Sequence, residues 1–163
     1  MIGKTSLAAV AAIGVAALVA AGATWAGRGG HDDAANSLVG TWQLTVNRGP
    51  TLPPVQGLTT YTEGHSLIGT GNTTVRGPAH GTWERVRGRL YADTHIFFRF
   101  GATGAWIGSQ KIRETVRLSP DGESYTAIAI SDQFDTNGSL IASGLRATIT
   151  ATRMHVERIP DEP

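Results

Sequence analysis

Beyond Asp33, the sequence is built from short segments with a hydrophobic period of two, separated by turn residues, and no helical period is sustained. Alternation of this kind is typical of half-buried β-strands, because successive side chains of a strand point to opposite faces. Asp121-Gly122 and Asn137-Gly138 are the strongest turn signals. The predicted strands span residues 38–46, 58–63, 66–71, 80–86, 89–100, 105–118, 124–134 and 139–154.

This succession of strands and tight turns predicts an all-β fold, in which each strand pairs antiparallel with the next. Such a meander exposes two unpaired edges unless its first and last strands pair with each other. We therefore predict a single antiparallel up-and-down β-barrel of about eight strands over residues 38–157. The chain contains no cysteine, so no disulfide supports the barrel and its stability depends on a packed core.

An almost unbroken apolar run, residues 7–26, precedes the predicted barrel, and Lys4 is the only charged side chain before Arg28. The run is about long enough to cross a membrane as a hydrophobic helix. A cleaved signal peptide has the same positive start and apolar middle, so residues 1–26 are interpreted as a signal peptide or a retained anchor. Either interpretation places the domain on the extracytoplasmic side, membrane-anchored or secreted. Residues 27–37 then form a flexible tether, and residues 158–163 a disordered tail.

Several classes of function lack support in the sequence. The formal net charge is only +1 and no basic block is present, which argues against a nucleic-acid partner. The histidines show no metal-ligand spacing, the serines lack a nucleophile-elbow context, and the glycine-rich segments lack the lysine and helix of a phosphate loop. The sequence therefore predicts no metal site, no cofactor and no hydrolytic triad.

The predicted strand 105–118 has one clearly solvent-exposed face, and its other face carries apolar residues together with Gln110 and Glu114. Burial of a carboxylate is costly unless it is paired, and burial raises its pKa. One interpretation makes Glu114 an acid, a base or a hydrogen-bond partner in a ligand cavity. The other places it near the barrel mouth, where it is solvated or paired with an arginine such as Arg146.

The predicted strand 89–100 is harder to orient. Its even-numbered residues form the more apolar face and are expected to point inward, which makes Thr94 and Phe98 candidate ligand contacts. An inverted register, or a local bulge, would instead direct Asp93, His95 and Arg99 into the lumen, where they would resemble a catalytic set.

Aromatic side chains serve two purposes in a barrel of this size. Some line a cavity that suits a flat or apolar ligand, and others fill the closed end. We assign Trp42 to the closed end and expect Trp106 and Tyr125 to contact a ligand. The last strand is rich in alanine, serine, glycine and threonine. Small residues there either widen the lumen or allow another subunit to approach, so a homo-oligomer is one interpretation.

Two short motifs carry a resemblance to a known superfamily. Gly40-Thr41-Trp42 resembles the Gly-x-Trp signature of calycins and lipocalins. Gly81-Thr82-Trp83, with an aromatic strand and a small-residue strand after it, is similar to bacterial lipocalin-like and allene-oxide-cyclase-like barrels. The resemblance implies a calycin-like barrel in which Arg153 packs over Trp42. The helix that usually follows the last strand of a lipocalin has no counterpart here.

Two main functions follow as expectations. The first is an exported or membrane-anchored barrel that binds a small hydrophobic molecule, because the expected lumen is apolar with few polar groups. The alternative, implied by the resemblance, is a cyclase that folds a polyene or polyketide for ring closure in natural-product biosynthesis. In that case Glu114 and Gln110 would polarise the substrate, while Trp106 and Tyr125 would shape it. A filled barrel that acts as an envelope or interaction module is a third interpretation.

Overall fold

The structure, a computed structural model, describes residues 36–160. Eight strands and no helix occur within these residues. The strands are β1 (Gly40–Asn47), β2 (Val55–Tyr61), β3 (Ser66–Gly71), β4 (Arg76–Arg87), β5 (Leu90–Phe100), β6 (Trp106–Leu118), β7 (Ser124–Phe134) and β8 (Leu140–Arg153).

Each strand pairs antiparallel with its neighbour in sequence, and β8 pairs with β1 to close the barrel. The all-β class and the eight-stranded up-and-down barrel are thus confirmed, and the architecture is compatible with a calycin-like barrel. Two strands begin earlier than predicted. Val55 of β2 pairs with Val46, and β4 extends back to Arg76 across a bulge that contains Pro78. Proline is tolerated in a strand at such an irregular point, because no ladder hydrogen bond is required from it there.

One end of the barrel is filled by a hydrophobic core. Trp42 is fully buried and contacts the ring of Tyr125 edge-on, with ring centroids 4.9 Å apart. The Trp42 indole Nε1–H donates to the carbonyl of Leu38, which covers this end from the segment before β1. The placement of Trp42 in the closed end is therefore confirmed. The other large side chains of this core are Tyr61, Leu67, Trp83, Tyr91, Val116 and Leu118.

Arg153, at the end of β8, stabilises this closed end through a ring contact and three hydrogen bonds. Its guanidinium lies 4.2 Å from the centroid of the Trp42 ring, and it donates hydrogen bonds to the carbonyls of Ser37, Val39 and Gly122. Gly40 of the first Gly-x-Trp motif has a φ of 134°, and a Cβ atom there would lie 2.7 Å from Arg153 Nη1. The motif thus has a packing explanation, and the contact of Arg153 with Trp42 implied by the resemblance is confirmed.

Among residues 36–160, no helix is long and apolar enough to cross a membrane. The predicted signal peptide or anchor, residues 1–26, lies outside the described residues, and so does most of the predicted tether.

Candidate functional site

A lumen of about 580 Å³ lies between the filled end and the opposite end of the barrel. It opens where β1 and β5 end, since the exposed residues Arg48, Leu52 and Val75 line its rim. Its walls combine an apolar part with a polar part. The apolar part includes Leu44, Val46, Leu67, Phe97, Ile112 and Ile149, and the polar part includes Tyr61, Arg76, His95, Arg99, Gln110, Glu114, Ser131 and Gln133.

The orientation expected for strand 89–100 is wrong. The odd-numbered residues of β5 face the lumen or the core, whereas Phe98 is 57% exposed. The register with β6 explains this result, because Asp93 pairs with Glu114 and Phe97 pairs with Gln110. Directly paired residues share a face of the sheet, and the inward face of β6 is the predicted one. The inverted register thus occurs, and the expectation of few polar groups in the lumen is also wrong.

Gly81, from the second Gly-x-Trp motif, lies directly opposite His95 in the pairing of β4 with β5. A Cβ atom at this glycine would lie 2.2 Å from the carbonyl oxygen of Thr94 and 2.5 Å from the Cβ of His95. Only a residue without a side chain permits the two strands to approach this closely. The motif therefore helps to position β5 where it presents His95 to the lumen.

Asp93 lies at the centre of a buried hydrogen-bonded cluster. Its Oδ2 accepts a hydrogen bond of 2.9 Å from the Tyr61 hydroxyl, and its Oδ1 lies 3.0 Å from His95 Nδ1. The Asp93 side chain is fully buried, whereas that of His95 is 11% exposed and lines the lumen. When the Asp93 carboxylate accepts both bonds, His95 carries its proton on Nδ1. In this tautomer Nε2 carries the lone pair and can accept a proton.

Glu114 faces the same cluster from β6, directly opposite Asp93. Burial raises its pKa well above the usual value, the negative charge of Asp93 raises it further, and the Arg76 guanidinium opposes both. Two carboxylates this close cannot both be ionised at low cost. Burial and the Asp93 charge therefore favour the protonated form of Glu114, in which the carboxyl group can donate a proton. The arginine near it is Arg76 and not Arg146, which is exposed at the rim.

The same three residues could also hold a metal ion, since one ligand atom each from Asp93, His95 and Glu114 lies within 4.8 Å of the other two. The sequence argument against a metal relied on spacing along the chain, and the barrel brings these residues together regardless of spacing. Two observations nevertheless disfavour a cation. Both oxygens of Asp93 already accept hydrogen bonds, and the Arg76 charge lies near Glu114.

The other sequence candidates lie in the lumen, on the outer surface and in the closed end, and of these only Gln110 lines the lumen. Gln110 lines the lumen, where its amide donates a 2.8 Å hydrogen bond to Ser131 Oγ. Trp106 is 49% exposed and contacts Phe98 edge-on outside the barrel, and Thr94 is also exposed. Tyr125 is buried in the closed end, and burial raises its pKa.

Sequence reasoning did not single out Tyr61 or Arg76. Tyr61 ends β2 in the aromatic layer at the base of the lumen, and burial raises its pKa well above the usual value. An inward position could be inferred from alternation within β2, but its contact with Asp93 joins residues 32 positions apart. Arg76 precedes the predicted start of its strand, so alternation gave no signal for its direction.

A second depression, of about 750 Å³, lies outside the closed end between the β4–β5 and β6–β7 turns. It is larger than the lumen but shallow, and its charged side chains are the arginines Arg87, Arg89 and Arg117. No acid–base pair lines it within the described part of the chain. The lumen, where titratable groups converge, is therefore the candidate site.

Comparison with protein families, with curated proteins and with solved structures finds no match for this chain. The fold and the lumen define its class as a closed eight-stranded antiparallel barrel with an internal acid–base cluster.

Replacement of Glu114 by Gln tests the protonation of this acid. The folded-state pKa is raised above 4.5, so the folded protein retains a proton that the unfolded chain releases as the pH rises past that value. The wild type consequently loses stability between pH 4.5 and its folded-state pKa, and the glutamine variant does not. We expect Glu114→Gln to match the wild type below about pH 4 and to be the more stable protein at pH 7.

Urea denaturation at a series of pH values measures this difference. Glu84→Gln, at an exposed position of β4, serves as the matched control and should show no such pH-dependent gain. A variant at Glu114 that is less stable than the wild type at pH 7 would show that the carboxylate forms a stabilising ion pair instead.

Proposed function

We propose that this domain is an enzyme that isomerises or cyclises a small organic molecule in its lumen by proton transfer. The observation that carries the proposal is the convergence of Asp93, His95 and Glu114 within 4.8 Å at the base of a lumen of about 580 Å³. A base oriented by a carboxylate, next to a carboxyl group with a raised pKa, provides both partners of general acid–base catalysis.

Each residue has a defined part in this chemistry. His95 Nε2 removes a proton from a carbon beside an electron-withdrawing group, and Glu114 gives its proton to the oxygen that gains charge. His95 then gives the proton it took to a different carbon while Glu114 recovers its proton from the oxygen, which completes an isomerisation. In a ring closure the new carbon nucleophile instead attacks a carbonyl carbon of the same molecule. The C=O π bond of that carbonyl breaks, its oxygen takes the proton from His95, and Glu114 recovers its proton from the first oxygen. No co-reactant is consumed in either case. Asp93 is a positioning residue, because it is absent from the lumen wall and acts through His95.

An acid–base isomerase, of which the cyclase is one case, accounts for this cluster better than a passive carrier does. A carrier of purely hydrophobic molecules would need no buried cluster of ionisable groups, since burial of such groups costs free energy. The apolar part of the lumen supports an apolar substrate body, such as a polyene or polyketide. Membership of a calycin-like, allene-oxide-cyclase-like family rests on the two Gly-x-Trp motifs and the barrel. Export or anchoring through residues 7–26 rests on the sequence alone.

A carbon-acid probe tests the proposal without knowledge of the natural substrate. 5-Nitrobenzisoxazole opens when a base removes its ring proton, the N–O bond breaks, and a coloured phenolate forms. We expect the full-length protein to accelerate this reaction above the rate with an equal concentration of free imidazole. We also expect saturation with probe concentration, because the base is enclosed in a cavity.

Chelation provides a second arm of this experiment. If His95 acts as a base, addition of EDTA should leave the rate unchanged, whereas a metal-dependent site would lose activity. A wild-type protein no faster than free imidazole would favour the carrier function over the enzyme.

A further inference from the structure

Two arginines lie next to each other in the wall of the lumen. Arg76 of β4 and Arg99 of β5 are paired directly across the two strands, and both line the lumen. Neither forms an ion pair with an acidic side chain among residues 36–160. Like charges directly opposite each other destabilise a sheet, so the fold alone does not account for this pair.

Both side chains also present unsatisfied donors. Arg76 Nε and Arg99 Nη1 are buried and have no hydrogen-bond partner within the described residues. The Arg76 guanidinium lies 4.2 Å from the centroid of the Phe97 ring. This cation–π contact offsets part of the free-energy cost of burying the charge. Buried donors without acceptors cost free energy, and an acceptor that enters with a ligand would remove that cost.

The charge of the whole lumen favours an anion. The arginines that line it or its mouth are Arg48, Arg76, Arg99 and Arg146. Glu114 is the only acidic residue of the lumen wall within the described part of the chain, so four arginines face a single carboxyl group. An anion that enters this lumen therefore meets an excess of positive charge in a partly desolvated cavity, where attraction is stronger than in water.

We propose that Arg76 and Arg99 form a subsite for the anionic group, carboxylate or phosphate, of an organic substrate whose apolar body reaches toward His95. This inference deepens the proposed function and rests on it for the position of the reacting end. A guanidinium can donate two parallel hydrogen bonds to either anion. His95 lies four residues deeper than Arg99 along β5, roughly 13 Å along the strand. The Arg99 position is thus distant from the reacting carbon along the strand, whereas the Arg76 guanidinium contacts the Phe97 ring and interacts with the Glu114 carboxyl group.

Titration calorimetry with matched probes tests the subsite on the full-length chain. 4-Phenylbutyrate and 4-phenylbutan-1-ol share a skeleton and differ in charge, and phenyl phosphate distinguishes a phosphate preference from a carboxylate preference. We expect one of the two anions to bind about tenfold or more tightly than the alcohol. Arg76→Gln and Arg99→Gln should each remove most of this preference. Arg117→Gln, at an exposed position on the outside of β6, removes the same charge and should retain it.

The same variants exclude a purely structural role. Because the two arginines repel each other, we expect either substitution to leave the melting temperature of the unliganded protein unchanged or raised. A lowered melting temperature together with an intact anion preference would show that the arginines support the fold and would overturn the subsite. Equal binding of alcohol and both anions by the wild type would overturn it as well.

Failure of this inference can be separated from failure of the proposed function. His95→Gln should retain the anion preference while it loses the ring-opening activity. An anion preference in a wild-type protein that does not open 5-nitrobenzisoxazole would contradict the enzyme and support the subsite. Ring opening without any anion preference would contradict only the subsite.

Discussion

His95→Gln is expected to lower the rate of 5-nitrobenzisoxazole opening by about 100-fold or more, because general-base catalysis typically contributes factors of 10² to 10⁴. Glutamine keeps approximate volume and polarity but cannot accept the proton. The fold should be retained, since His95 is at the wall of the lumen and not in the packed end. Initial rates at equal protein concentration, measured beside thermal melts, check this expectation.

Two further variants show whether the effect belongs to the Asp93–His95 pair. His80→Gln, at an exposed position of β4, is the matched control and should leave the rate unchanged. Asp93→Asn should reduce the rate about tenfold or more, because the imidazole loses the acceptor that fixes its tautomer and orientation. A His95→Gln protein that melts normally and reacts at the wild-type rate would contradict the assignment of His95 as the base.

Trp42→Ala is expected to destabilise the domain by about 3–5 kcal/mol, which is the usual cost of removing a fully buried tryptophan. The indole is 0% exposed, contacts the ring of Tyr125 and lies beneath the Arg153 guanidinium. Its loss leaves a cavity and also removes the hydrogen bond to the Leu38 carbonyl. Since small domains have about 5–15 kcal/mol of stability in total, the variant should be partly unfolded near physiological temperature. Urea denaturation followed by circular dichroism measures the change.

Trp106→Ala is the matched control, because this tryptophan is 49% exposed on the outside of β6. It should cost less than about 1 kcal/mol. A double-mutant cycle of Trp42→Ala with Arg153→Gln should give a coupling energy of about 0.5–3 kcal/mol, since the two side chains are in contact. A cost below about 1 kcal/mol for Trp42→Ala would contradict the assignment of this ring to the barrel core.

The strand pattern was sufficient to predict the barrel, because the signals for strands and turns lie within short stretches of the sequence. Period-two alternation and the Asp121-Gly122 and Asn137-Gly138 turns specify which segments are strands and that neighbours pair in sequence order. The early start of β2 was missed because Pro53 and Pro54, directly before Val55, appear as a loop in the sequence. The early start of β4 was missed because this strand continues through Pro78 at a bulge. Closure by β1 and β8 followed from the need to pair both edges.

The site was predicted only in part, and β5 shows why. Its even-numbered face is the more apolar, so Ile96 and Phe98 were expected to be buried. Both side chains are instead about half exposed. The register with β6, which pairs Asp93 with Glu114, determines the direction of every side chain on β5. A shift of one residue reverses both faces of a strand, and apolarity alone does not detect it.

The sequence by itself determined the β-class, the number of strands, the inward direction of Glu114 and Gln110, and the place of Trp42 in the closed end. These features depend on alternation within one strand, on turn residues, and on the Gly-x-Trp motif beside Arg153. Only the tertiary structure decided that Tyr61, Asp93, His95 and Glu114 form one cluster at the base of a lumen that Arg76 also lines. The physical reason is that their contacts are made between strands, where register and barrel closure, and not local propensity, determine which side chains meet.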